Sequence, residues 1–154
     1  MRQQIEQLIS RYQKNLFNIA FHICRDIDDA NDVVQETFIQ YVTIPKEFHD
    51  DNHIKAWLMK VAINKAKDLR KSFWKKHRVS LNEIGEIPFK QEEEYLIDAV
   101  MRLPEKYRII IHLFYYEDMQ VKEIAEALDL SAANVKTRLS RGRKILKEAL
   151  SGGR

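Results

Sequence analysis

Residues 121–144, which read VKEIAEALDLSAANVKTRLSRGRK, are the most informative stretch of the chain. The first part carries an apolar stripe at helical spacing, formed by Ile124, Ala125 and Leu128. Asp129 follows at a position that usually needs a left-handed backbone, which Asp tolerates better than most residues. Ser131 then offers a hydroxyl N-cap to a second helix. The stretch therefore predicts two short helices around a tight turn.

The second helix of this stretch has two unlike faces. Its spacing turns Val135, Leu139 and Leu146 inward. Its outer face carries Lys136, Thr137, Ser140, Arg141 and Lys144, with Arg138 and Arg143 on the flanks. A helix of this kind fits the major groove of DNA, where such side chains bind base edges and phosphates. The alternative is a solvated basic face on an ordinary C-terminal helix, but the preceding turn chemistry favours a DNA-binding helix-turn-helix.

Composition narrows the class of protein. A length of 154 residues allows one medium domain or two very small ones. The single Cys24 excludes an internal disulfide framework and suits a reducing compartment. The polar N-terminus shows no signal peptide, and the longest apolar run, Ile109–Tyr116, is too short to span a bilayer. We expect a cytoplasmic protein without membrane insertion.

Charge is distributed unevenly although the net charge is only +3. Basic residues crowd the stretch from Lys65 to Arg78 and again from Lys136 to Lys147, while acidic residues concentrate at Asp26–Glu36 and Glu83–Glu94. Two basic blocks separated by an acidic connector suggest two nucleic-acid contacts on one chain.

Almost the whole chain follows a helical pattern, which predicts an all-α fold. Apolar periodicity predicts helices up to about Arg25, from Asp28 to Val42, from Ile54 to Lys76, from Glu92 to Leu103 and from Pro104 to Tyr116. Ile44–His53 is predicted as a loop, and Arg78–Gln91 loses periodicity and contains Gly85 and Pro88. We therefore expect two small helical domains, residues 1–77 and 92–154, joined by a flexible linker over residues 78–91.

Four stretches, in order, carry a resemblance to a known family. They are residues 29–38 (DANDVVQETF), residues 56–64 (AWLMKVAIN), residues 103–108 (LPEKYR) and the helix-turn-helix. Together they resemble extracytoplasmic-function sigma factors, the smallest initiation factors of the sigma-70 type. Small departures from the family pattern are Arg25 and Asp129, where Gly is common, and Asn134, where Thr is common.

The resemblance implies a set of partners. It implies binding to core RNA polymerase, through the β′ coiled coil and the β flap, to promoter DNA and to an anti-sigma factor, with a monomer when the protein is free. The residues that it implies for the β′ contact are Asp29, Asp32, Gln35 and Glu36.

The resemblance also divides promoter recognition between the two domains. The third helix would read and open the −10 element through Lys60, Asn64, Lys67, Asp68 and Lys71. The loop before it would capture a flipped base, for which Phe48 is the stacking candidate. The helix-turn-helix would read the −35 element through Lys136, Thr137, Ser140 and Arg141, with Arg138 and Arg143 on phosphates.

Two other classes of protein compete with this interpretation. A stand-alone helix-turn-helix regulator explains the C-terminal half equally well, but not the acidic second helix or the basic third one. An enzyme has little support, since no catalytic, cofactor or metal-ligand pattern is present. His49 and His53 are four residues apart, but the predicted loop would not align them on one face.

Overall fold

The computed structural model describes the backbone of residues 2–44, 47–77 and 98–152, and the side chains of residues 4–44, 47–71 and 98–151. These residues are helices and short turns without a strand, as the all-α prediction requires. The chain divides into two compact units, Met1–Asn82 and Glu83–Arg154. The linker predicted over residues 78–91 lies outside the described residues.

The N-terminal unit is a bundle of three helices. These are α1 (Arg2–Cys24), α2 (Ile27–Thr43) and α3 (Asp51–His77), and each packs against the other two. The side chains fully excluded from solvent include Leu16, Ile19, Val33, Leu58, Met59 and Ile63. Removing this apolar surface from water is the main stabilising term of so small a unit.

A tight junction joins α1 to α2. Arg25 adopts a left-handed backbone with φ 56°, the conformation for which Gly is the usual residue. Asp26 then caps α2, because its side chain accepts a hydrogen bond from the Asp29 N–H at 2.9 Å. Arg25 therefore makes the same left-handed turn that Gly would make at this position.

The prediction of a loop over Ile44–His53 is wrong at its end, because α3 begins at Asp51. The Asp50 carboxylate accepts a hydrogen bond from the His53 N–H at 2.8 Å, which is N-cap geometry. The polar run from His49 to Asn52 is thus a cap and a first helical turn.

The C-terminal unit begins, within the described residues, with a helical segment at 98–101. It continues through α4 (Glu105–Ile111), a π-helix (His112–Tyr116), α5 (Val121–Leu128) and α6 (Ala132–Gly152). The predicted start at Pro104 is one residue early, since α4 begins at Glu105, and the helix winds as a π-helix from His112 onward. Two ionisable side chains, His112 and Glu117, are buried there with 3.3 Å between Nε2 and Oε1.

The helix-turn-helix prediction is confirmed in its details. Asp129 ends α5 in a left-handed conformation with φ 55° and ψ 45°. Ser131 caps α6, because its Oγ accepts a hydrogen bond from the Asn134 N–H at 3.0 Å. A further cap opens α5, where the Gln120 N–H donates to the Glu123 carboxylate at 2.9 Å.

Candidate nucleic-acid interface

One face of α6 is polar and open to solvent. Val135 and Leu139 are buried against the rest of the unit, and Leu146 is half-buried. The four predicted groove residues, Lys136, Thr137, Ser140 and Arg141, are all exposed on the other side. This arrangement presents two cations and two hydroxyls together, which is the chemistry that binds base edges and phosphates.

The two flanking arginines are held against their own unit. Arg138 is half-buried, and its Nε donates to the Asn134 side-chain oxygen at 3.1 Å. Arg143 donates from Nε to the Tyr115 hydroxyl, and its guanidinium carbon lies 5.4 Å from the ring centroids of Phe114 and Tyr115. Such a cation is fixed in position before any ligand arrives. No local sequence pattern predicts the contact between Arg143 and Tyr115.

A second polar face runs along α3 in the other unit. Asn64, Asp68 and Lys71 are exposed, while Lys60 and Lys67 are half-buried. Their spacing of three and four residues places all five on one side of the helix. The side opposite holds the buried Leu58, Val61, Ala62 and Ala66. The face thus combines three cations, which suit phosphates, with one amide, which suits a base edge.

Aromatic rings cluster where α3 begins. The Phe48 ring is half-buried and lies 5.7 Å from Tyr41, 6.0 Å from Trp57 and 5.1 Å from His53, centroid to centroid. The expectation that His49 and His53 would not align is wrong, because their rings stack at 5.3 Å with an angle of 17°. They align because the first turn of α3 starts earlier than the sequence pattern indicated.

The predicted acidic face of α2 is present on the N-terminal unit. Asp32, Gln35 and Glu36 are exposed and Asp29 is half-buried. Burial raises the pKa of Asp29, and the charges of the neighbouring Asp26, Asp32 and Asp28 raise it further. The Glu36 carboxylate lies 3.4 Å from Lys65 Nζ on α3, so this face touches the basic helix through one ion pair.

Two further kinds of reactive side chain are the possible metal ligands and the Cys24 thiol. No three His, Cys, Asp or Glu side chains there converge as metal ligands would. Burial, reinforced by Asp29 and Asp26, raises the pKa of the Cys24 thiol to about 12, and the thiol lies 3.6 Å from the Ala66 carbonyl oxygen. A protonated thiol is a poor nucleophile. None of the helices described here is both long and apolar enough to cross a membrane.

Family comparisons cover both units. Residues 8–76 match the family described as Sigma-70 region 2, and residues 93–146 match Sigma-70, region 4. The regulator alternative, which explains only the C-terminal half, finds no support in these matches.

Individual relatives and solved structures point the same way. The chain is 33% identical to the RNA polymerase sigma factor SigV of Bacillus subtilis, over 93% of this chain and 89% of that protein. It is 29% identical to the ECF RNA polymerase sigma factor SigM of the same organism, over 97% and 96%. CnrH, solved in complex with the cytosolic domain of CnrY, superimposes with a TM-score of 0.71 at 26% identity, over 99% and 90%. RpoE of Bartonella quintana, solved with the anti-sigma factor NepR, has the same fold, with a TM-score of 0.76 at 21% identity, over 98% and 99%.

These matches, with a region 2 bundle and a region 4 helix-turn-helix in one chain, place the protein in the extracytoplasmic-function group of sigma-70 family RNA polymerase sigma factors.

Proposed function

We propose that this protein joins core RNA polymerase and directs it to promoters through two separate DNA contacts. The observation that carries the proposal is the presence of two polar, cationic helix faces, one on α3 and one on α6, each backed by a buried apolar side. The face on α6 reads the −35 element, and the face on α3 holds and opens the −10 element. Residues 1–77 and 92–154 act as the two domains, with residues 78–91 as the connector.

The acidic face of α2 is the proposed contact with the β′ coiled coil, and the C-terminal unit is the proposed contact with the β flap. The support for the first is chemical, since Asp32, Gln35 and Glu36 are exposed and aligned at helical spacing. A partner surface rich in Arg or Lys would complement them.

An anti-sigma factor is the proposed regulator. Two solved structures with this fold, CnrH and RpoE, were obtained in complexes, RpoE with a protein named as an anti-sigma factor. Purification of this protein from uninduced native cells should therefore recover an inhibitor as well as core polymerase. Recovery of core polymerase alone would contradict this part of the proposal. The free protein is expected to be a monomer.

Run-off transcription with purified core polymerase and a genomic promoter library tests the main proposal. Initiation from a subset of templates, dependent on this protein, is expected. Absence of initiation from every template would refute it.

Two substitutions separate sequence reading from phosphate binding. Arg141→Ala should relax preference at one −35 position by about 1–3 kcal/mol, the worth of a good bidentate base contact. Lys71→Met should weaken binding at all promoters and lower the salt slope by about one counterion. Lys106→Ala, a change at an exposed cation on α4, is the matched control and should alter neither quantity. If Arg141→Ala left promoter choice intact, α6 would not be the reader.

A further inference from the structure

We propose that the exposed ring stack of His49 and His53, rather than Phe48, is the surface on which an unpaired base of the opened promoter strand stacks. Phe48 is then a positioning residue beneath that stack. The inference rests on the proposed function of α3 as the contact to the −10 strand, and it assigns the base-holding residues within that contact.

Phe48 is poorly placed to receive a base because its ring is already engaged. Tyr41 stacks on it nearly in parallel, with an angle of 15°, while Trp57 and His53 approach edge-on at 71° and 75°. These offset and edge-to-face arrangements are the favourable ones for aromatic pairs. A base stacking on Phe48 would compete with these three rings for contact with it. The ring therefore anchors the start of α3.

His49 and His53 form the solvent end of the same aromatic run. Both residues are exposed, and their rings are nearly parallel. Two hydrogen bonds hold the pair in place: the His49 N–H donates to His53 Nδ1 at 3.2 Å, and the His53 N–H donates to the Asp50 carboxylate at 2.8 Å. A stacking surface that is already ordered loses little conformational entropy when a base binds.

The stack also lies in line with the cationic face of α3. His53 is seven residues before Lys60, which is two helical turns on the same side and about 10 Å along the axis. Asn64, Lys67 and Lys71 continue that line at spacings of four, three and four residues. A row of cations that leads to an aromatic platform is the arrangement with which proteins bind single-stranded nucleic acid, the cations on the backbone and the rings on the bases.

The proposed contact of the stack with a base is made through the π-face of a ring, as in other aromatic platforms for single strands. Such stacking neutralises no phosphate, whereas each lysine that binds a phosphate releases a counterion and makes binding depend on salt. Salt dependence therefore separates the stack from the lysines of α3.

The test uses the holoenzyme and a single-stranded oligonucleotide with the −10 non-template sequence of a promoter that the wild type initiates. The fluorescent base 2-aminopurine is placed at each position in turn. With wild type, one position should be quenched by stacking. His49→Ala should abolish that quenching and weaken binding at least about fivefold, the lower end expected for one base–aromatic stack. The salt slope should not change, whereas Lys60→Met should lower it by about 0.7.

Two further variants control the interpretation. His49→Phe keeps a ring and should restore most of the quenching, while Asn52→Ala, an exposed change beside the stack, should leave wild-type behaviour. Unchanged quenching in His49→Ala, or a lowered salt slope in that variant, would overturn the inference but leave the proposed function standing. A wild-type holoenzyme that failed to bind the strand at all would refute the −10 assignment of α3 and the inference with it.

Discussion

Gly142 lets α6 lie close against α4, and its replacement tests how tightly the recognition helix is seated. A Cβ at this position would lie 3.2 Å from Ile111 Cγ1 and 3.3 Å from Tyr107 Cβ. Ile111 is 1% exposed and Tyr107 is 9% exposed, so neither has open space into which to move. For Gly142→Ala, a gain of about 1 kcal/mol in helix propensity offsets this crowding, and little net change in the free energy of unfolding is expected. Gly142→Val adds a Cβ and two methyl groups to the same space and should cost about 1–3 kcal/mol.

Thermal denaturation measures the effect. In a domain of 60–100 residues, 1 kcal/mol shifts the melting temperature by about 4–8 °C, so Gly142→Val should lower the midpoint seen by far-ultraviolet circular dichroism by at least about 4 °C. Both tryptophans of the chain, Trp57 and Trp74, belong to the N-terminal unit. Tryptophan fluorescence therefore follows the unit without the substitution and should keep its wild-type midpoint. A Gly142→Val protein with the wild-type circular dichroism midpoint would refute the close seating of α6.

Two other predictions concern a cap and a thiol. Ser131→Ala removes the acceptor for the Asn134 N–H and should lower the free energy of unfolding, measured in urea, by about 1 kcal/mol. Ser140→Ala, on the exposed face of α6, should leave it unchanged. Equal effects of the two substitutions would contradict the cap. The raised pKa of Cys24, about 12 against an ordinary value of 9.0, favours the protonated thiol in the folded state. The contribution of this raised pKa to the free energy of unfolding is therefore fully present below pH 9 and is lost as pH rises toward 12. Denaturation curves measured at successive pH values should show that Cys24→Ala loses less stability than wild type across that range. Equal losses in the two proteins would argue against the desolvated Cys24 thiol.

The elements that the sequence predicted well are those with local signals. The helix-turn-helix is specified by a left-handed residue at Asp129 and a hydroxyl cap at Ser131, both readable within three positions. The polar face of α6 followed from periodicity alone. The sequence pattern misses the start of α3 because Asp50 and Asp51 are typical of a polar turn, although Asp before a periodic run is also a capping signal.

The features that the sequence did not predict are contacts between residues far apart along the chain and contacts that depend on where a helix begins. Arg143 and Tyr115 are 28 residues apart, and Glu36 and Lys65 lie on different helices, so no local pattern links either pair. The alignment of His49 with His53 depended on where α3 begins. The engagement of Phe48 required the packing of α2 and α3 around its ring.

The π-helix between α4 and α5 makes chain length a structural constraint. Its hydrogen bonds run from residue i+5 to residue i, and the Glu117 N–H donates to the His112 carbonyl at 3.1 Å in this way. Ordinary α winding would place residues five apart well round the helix from each other, so the buried contact between His112 and Glu117 at this spacing depends on the π winding. Removing one residue between His112 and Glu117 would leave them four apart, a spacing at which ordinary α winding also puts two side chains on one face, but α5 would then follow one residue earlier. A deletion in this turn would therefore change the spacing between α4 and the helix-turn-helix even with every remaining side chain unchanged.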